Sequence, residues 1–125
     1  ILNHLTHPAI LQRATDQIDA LGARGWRWVV YEAALILENH LAPALEALVV
    51  VMCDPETQVQ RIIRRNGLSE TEARSRIAAQ TDNAARSAAA DYLISNDGPL
   101  EALEARTDAV LTELVTRLGT VRLRR

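Results

Sequence analysis

Residues 48–80 read LVVVMCDPETQVQRIIRRNGLSETEARSRIAAQ, a run of strand formers followed by two Arg-rich helical segments. Asp54 is placed to cap the first helix, because its carboxylate can accept from the free N–H groups of the first turn. Asn66 and Gly67 end that helix, since both residues tolerate the left-handed conformation. Ser69 opens a Ser-x-x-Glu capping box that starts the second helix. The stretch therefore predicts a strand leading into a helical hairpin.

The arginines of this hairpin are its candidate functional groups. Arg61 and Arg65 are four residues apart, so they share one face of the first helix. That face lies beside an apolar stripe at helical spacing, formed by Val59, Ile62 and Ile63. The pattern predicts a small helical hairpin that offers guanidinium groups to an anion.

Composition limits the classes of protein that fit. A chain of 125 residues with 48% apolar residues can bury one modest core, which predicts a single domain. A net charge of −2 argues against a general nucleic-acid binder. All 14 basic residues are Arg, so these residues contain no lysine-based phosphate site. One Cys excludes an internal disulfide and fits a cytoplasmic protein. No apolar run reaches the roughly 18 residues of a membrane helix.

The remaining chain alternates between strand and helix patterns. His7-Pro8 is expected to end a short helical segment and to start an amphipathic helix over residues 8–21. Strands are predicted at 26–31, 45–53 and 91–95, the second one apolar throughout, as in a parallel strand covered on both faces. Two further helices are expected, over 82–90 and 99–118, with a basic tail at 121–125. This order predicts an α/β fold with a parallel sheet.

Four segments in the right order and spacing resemble one known family. They are LNHLTHPAI at 2–10, WVVYEAALILE at 28–38, VVVMCDPETQVQRIIRRNGLSETEARSRIAAQ at 49–80 and ADYLISNDG at 90–98. Together they resemble the C-terminal part of dephospho-CoA kinase. The resemblance implies the three-layer fold of the P-loop kinases, a parallel sheet with flanking helices and a helical lid, incomplete at the N-terminus. It assigns the acceptor side to residues 1–45, the lid to 54–90, and the last strand and helix to 91–125.

The activity implied by the resemblance is ATP-dependent phosphorylation of the ribose 3′-hydroxyl of dephospho-CoA, with Mg²⁺, the last step of coenzyme A biosynthesis. The sequence departs from the family pattern in two main respects. The Gly-rich P-loop with its Lys and Ser/Thr is absent, and so is the acidic residue that follows the family's first strand. Ser95 and Met52 also stand where the family often has Asp. We therefore expect the 125 residues alone to be inactive.

The resemblance also implies the site residues. Arg61 matches the lid arginine of the family motif and is the first catalytic candidate, with Arg65 one turn later as the second. ATP is expected to contact Arg86 and the turn at Asn96 and Gly98, and no metal-ligating residue is assigned. Three residues match motif positions near the acceptor or the lid and are the substrate-binding candidates, without individual roles: His7, Glu38 and Gln80.

Each candidate also has a purely structural interpretation. Arginines between two helix breakers often form only a solvated face. Asn96-Asp-Gly is a turn by its own chemistry, while His7 suits a packing role and Glu38 a solvated position. Two alternative functions also remain: another nucleotide kinase with a lid, and a non-catalytic fragment or interaction module. The expected partners are dephospho-CoA and ATP, without nucleic acid or membrane; a homo-oligomer is compatible with the sequence.

Overall fold

The computed structural model describes residues 2–80 and 82–119, and the backbone alone for residues 2–7. The predicted tail at 121–125 lies outside the described residues. The chain divides into two compact units, the first reaching Ala33 and the second beginning at Ala34. Each is described by itself. The single-domain organisation and its three functional segments stay predictions.

The first unit contains helix α1, Leu2–Ala23, which runs through Pro8 without a break. The predicted break at His7-Pro8 was therefore wrong. A proline removes one hydrogen bond, and in a helix of 22 residues the bonds on either side suffice to continue it. The predicted strand at 26–31 was also wrong, because these residues are irregular and Val30 is 88% exposed. An apolar run forms a strand only beside a partner, and the described sheet gives it none.

The second unit is built on two parallel strands, β1 (Val49–Met52) and β2 (Tyr92–Ser95). The register pairs Val49 with Tyr92 and Met52 with Ser95, so both strands end side by side. The described residues thus hold two of the three strands expected. β1 is shorter than predicted, since its pairing with β2 begins at Val49. The N–H of the preceding Leu48 donates to the Asp91 side chain at 2.8 Å instead of to a strand.

Four helices accompany this sheet: α2 (Pro55–Asn66), α3 (Glu70–Ala78), α4 (Asn83–Ala89) and α5 (Leu100–Leu118). A 3₁₀ turn, Ala42–Ala44, precedes β1. The predicted hairpin of α2 and α3 is confirmed, including both of its capping signals. Asp54 accepts from the N–H groups of the first turn of α2, and the Ser69 capping box forms at α3. Gly67 ends α2 with a φ of 65°, in the left-handed region.

The buried core of the described residues is small. Leu48 and Ile94 come from the sheet region, Val59 from α2 and Ala73 from α3. Val59 is the one member of the predicted apolar stripe that is fully buried. α2 packs against α3, and α5 packs on β2. No helix in the described part of the chain is long and apolar enough to span a membrane.

Candidate functional site

The carboxyl ends of the two strands bring two polar segments together. β1 leads to Asp54, and β2 leads into the turn of Asn96, Asp97 and Gly98. The N–H of Asn96 donates to the Met52 carbonyl at 2.6 Å, which holds this turn against the end of β1. Ligands of open α/β sheets bind outside the carboxyl ends of their strands. The turn predicted to contact ATP therefore lies where this fold class places a ligand.

Asp97 connects this turn to the start of α2. Its carboxylate accepts from the backbone N–H of Asp54 at 2.7 Å and from the Ser95 hydroxyl at 2.9 Å. These two hydrogen bonds, the one from Asp54 first, lower the pKa of Asp97, and the charges of Arg61 and Arg106 lower it further. The Asp97 carboxylate joins the start of α2 to the turn after β2.

Arg106 holds the same turn from α5. Its Nη1 donates to the Ser95 carbonyl at 2.7 Å and to the Asp97 carbonyl at 3.0 Å. Sequence reasoning missed both Asp97 and Arg106 as parts of the site. Asp97 was visible as a turn residue, but Arg106 lies within an amphipathic helix and carries no motif. Only the packing of α5 on β2 brings it to this edge.

The two predicted catalytic arginines have different surroundings. Arg61 is half-buried on α2, and its charge acts on Asp97. Arg65 is exposed, and its Nε donates to the Asn66 side chain at 3.0 Å. Neither guanidinium lies within 4.0 Å of a carboxylate oxygen in the part of the chain that the structure describes. Both arginines are thus available to an anionic ligand.

Three predicted site residues meet in a second cluster. Arg86 of α4 donates through Nη2 to Gln80 at 3.0 Å and forms an ion pair with Glu38 at 3.5 Å. The Arg86 and Glu38 side chains are only 20% and 26% exposed. Among the described residues no hydrogen bond joins Arg86 to Asn96 or Gly98. The structure therefore groups Arg86 with Glu38 and Gln80, two of the predicted substrate-binding residues. The backbone of His7 lies in α1, and its side chain is outside the described part.

A cleft of about 110 Å³ lies in the hairpin of α2 and α3. It is lined by two arginines, two glutamines and two isoleucines: Gln58, Ile62, Arg65, Arg76, Ile77 and Gln80.

Two carboxylates of this hairpin, those of Glu56 and Glu70, form ion pairs with Arg74. Arg74 binds both oxygens of Glu56, at 2.9 and 2.8 Å, and also Glu70 at 2.9 Å. These bonds raise the pKa of Arg74 and lower that of Glu56.

Comparison with known proteins identifies the family. A model of the dephospho-CoA kinase family matches residues 1–102. The chain belongs to this family. The dephospho-CoA kinase of Streptomyces avermitilis is 40% identical over 117 residues, covering 94% of this chain and 56% of that protein. The dephospho-CoA kinase of Shouchella clausii is 42% identical over 100 residues, covering 80% of this chain and 51% of that protein.

A solved structure supports the fold class. The crystal structure of TT1252 from Thermus thermophilus matches with a TM-score of 0.71 and 27% identity, over 90% of this chain and 58% of that one. The predicted fold class, an α/β fold with a parallel sheet and flanking helices as in P-loop kinases, is confirmed. The predicted resemblance to dephospho-CoA kinase is confirmed as well. The chain spans between half and 60% of the length of the dephospho-CoA kinases it matches.

Proposed function

We propose that this chain forms part of a dephospho-CoA kinase: its lid, and the edge of its sheet where β1 and β2 end. The reaction transfers the γ-phosphoryl group of ATP to the ribose 3′-hydroxyl of dephospho-CoA, the last step of coenzyme A biosynthesis. Family membership supports this proposal. The observation that carries it in the structure is the position of Arg61, a half-buried cation without an ion-pair partner within 4.0 Å in the described part. Its charge acts on Asp97, in the turn that ends β2.

The role of Arg61 follows from the needs of the reaction. Phosphoryl transfer requires the protein mainly to position the reactants and to compensate the charge on the phosphoryl oxygens. A guanidinium suits this task, because it stays charged and presents several N–H donors in one plane. We assign Arg61 as the catalytic cation and Arg65, one turn later, as the second. A lid carrying both would also exclude water as it closes over the phosphates.

The turn after β2 is assigned to the adenine side of ATP. Asn96 and Gly98 provide backbone groups there, and Arg106 keeps their conformation by binding the carbonyls of Ser95 and Asp97. Gly98 has a φ of 107°, which residues with a Cβ rarely adopt. The turn is therefore held in one shape before a ligand arrives.

The cluster of Glu38, Gln80 and Arg86 is assigned to the acceptor side. His7 stays a predicted substrate-binding residue. The Arg86–Glu38 pair is partly shielded from water, so its attraction is screened less than that of an exposed pair. Arg86 in turn fixes the carboxamide of Gln80 through a 3.0 Å hydrogen bond. These contacts make the cluster a rigid polar surface that a hydroxyl-bearing substrate can contact.

The described residues contain no cage of protein side chains for a metal ion. Among the described residues no group of three His, Cys, Asp or Glu side chains is arranged to hold a metal ion. We assign no step of the reaction to Mg²⁺ through these residues. The sequence also contains no Gly-rich P-loop and no Lys. We expect the 125 residues to bind substrate without turning it over.

Calorimetric titration of the 125-residue chain with ATP–Mg²⁺ and, separately, with dephospho-CoA tests this proposal. We expect dephospho-CoA to bind, with an affinity that falls when Arg61 is replaced by Gln. Arg64→Gln is the matched control, because it removes the same charge from the exposed side of the same helix. A chain that melts cooperatively yet binds neither nucleotide would contradict the proposal and favour a non-catalytic module. The comparisons do not favour another lid-bearing nucleotide kinase.

A further inference from the structure

The charges of the α2–α3 hairpin are unevenly paired. Arg74 alone engages Glu56 and Glu70. Arg65 and Arg76, in contrast, have no carboxylate oxygen within 4.0 Å anywhere in the described ranges.

The charge of Arg76 interacts with the carboxylate of Glu72. That carboxylate is already bound by the Ser69 N–H at 2.9 Å and by the Ser69 hydroxyl at 2.7 Å. Arg65 and Arg76 are therefore two of the hairpin arginines that no carboxylate of the described residues neutralises within 4.0 Å.

These two arginines line the same cleft. Ile62 of α2 and Ile77 of α3 supply its apolar part, and none of its described lining residues is acidic. The cleft has a volume of about 110 Å³.

Gln80 adds a donor to the cleft. Its Oε1 accepts from Arg86 at 3.0 Å. Because a guanidinium only donates, the atom of the carboxamide that faces Arg86 must be the oxygen, and the NH₂ group remains as a donor. The carboxamide of Gln80 also connects the cleft to the Arg86–Glu38 pair.

We propose that this cleft is an anion subsite that binds a phosphoryl group of a pyrophosphate through Arg65, Arg76 and the Gln80 amide. The proposal rests on the proposed function for the source of the anion, since ATP and dephospho-CoA both carry a pyrophosphate. It adds Arg76 and Gln80 as phosphate-binding residues. Arg61 is assigned to a different place, the edge of the sheet where β1 and β2 end. Charged hydrogen bonds from a planar guanidinium to phosphate oxygens supply the affinity.

The test is titration of the 125-residue chain with inorganic pyrophosphate at low ionic strength. We expect Arg76→Gln and Arg65→Gln each to weaken binding about tenfold, the loss typical of one hydrogen bond between charged groups. Arg64→Gln, on the exposed face of α2 and outside the cleft, should change the affinity less than about twofold, because exposed charges act only weakly through solvent. Circular dichroism of each variant confirms that the helices are intact.

Amide chemical shifts locate the bound pyrophosphate. The proposal expects the largest shifts at Ile62, Ile77 and Gln80, and small ones at Asn96 and Asp97. Two results would overturn it: equal losses in Arg64→Gln and Arg76→Gln, or loss of binding in Arg61→Gln with Arg76→Gln unaffected. The first would mean attraction by the overall charge of the helix, and the second would place the anion at the carboxyl edge.

Parallel titrations with ATP and dephospho-CoA separate this inference from the proposed function. The nucleotide whose binding depends on Arg76 is the source of the phosphoryl group. Nucleotide binding that is insensitive to Arg76→Gln would refute the cleft and leave the proposed function standing. Pyrophosphate binding that needs Arg76, with neither nucleotide bound, would support the cleft and refute the proposed function.

Discussion

The helical hairpin contains two kinds of arginine that look alike in the sequence. Arg74 binds two carboxylates, Glu56 and Glu70, through its Nε and both Nη atoms. Arg61 and Arg76 have no such partner within 4.0 Å among the described residues. The difference shows that the placement of acids decides the role of each arginine. One connects the two helices, while the others remain available to an anionic ligand.

The sharpest test of this distinction is replacement of Arg61 in a catalytically competent chain that contains these residues. We expect Arg61→Ala to lower kcat about a hundredfold, the loss typical when one preorganised donor to a developing charge is removed. Its melting temperature should stay close to that of the unmodified protein, because no close ion pair is lost. Steady-state kinetics and a thermal melt measure the two effects. Parallel losses of rate and stability would place Arg61 with Arg74 as a structural residue.

The sequence singles out Arg61 as a candidate, but it gives no sign of the network around it. Helix caps and breakers are local signals, so the hairpin from Asp54 to the Ser69 capping box followed directly from residue chemistry. The turn after β2 was visible for the same reason. Arg106 was not, because its contact with the Ser95 carbonyl depends on how α5 packs on β2. Long-range packing leaves no trace in local spacing.

The errors in the fold have the same origin. Residues 26–31 carry the composition of a strand, but a strand also requires a neighbour whose backbone groups it can pair with. Pro8 was expected to end a helix because proline lacks an N–H donor, yet one lost bond did not outweigh the rest of α1. In both cases the sequence indicated a local preference correctly, and the surroundings decided the outcome.

Replacement of Asp97 should have an effect of intermediate size, and this effect concerns how the stability of the fold depends on pH. Its pKa is lowered in the folded protein, first by the hydrogen bond from the Asp54 N–H and then by the one from Ser95. A carboxyl group with a lowered pKa stabilises the fold at pH values above 3.8, its pKa in the unfolded chain. This contribution is lost as the pH falls through the pKa of the folded state. Asp97→Asn removes the titrating group.

Melting temperatures of the unmodified chain and Asp97→Asn, measured from pH 6 down to about pH 3, check this prediction; this range brackets the usual carboxyl values. The variant should melt at a lower temperature near neutral pH, and the difference should shrink as the solution becomes more acidic. A difference that stays constant with pH would mean that the Asp97 carboxylate contributes no charge-dependent stability. The turn would then be held by Arg106 and the backbone alone.

The smallest effect on stability is expected for replacement of Arg74, although this arginine forms both of the ion pairs described in the hairpin. Its side chain and those of Glu56 and Glu70 are 48%, 64% and 60% exposed, so water and salt screen the attraction. Arg74→Gln should therefore lower the melting temperature slightly at low salt, and the difference should diminish in about 1 M NaCl, where the screening length is only about 3 Å.

Replacement of Arg74 and replacement of the cleft arginines, Arg65 and Arg76, should differ most clearly in their effects on pyrophosphate binding. Arg74→Gln removes the same charge as Arg76→Gln from the same helix, two residues away, so the two variants form a matched pair. If Arg74 only connects α2 and α3, its replacement should leave pyrophosphate affinity within about twofold of the unmodified chain, since a distant exposed charge contributes little. Replacement also releases Glu56 and Glu70, whose free carboxylates would repel the anion weakly and only at low salt. A tenfold loss that persists in salt would show that the cleft depends on the angle between the two helices, and that the structural and ligand-binding arginines act as one unit.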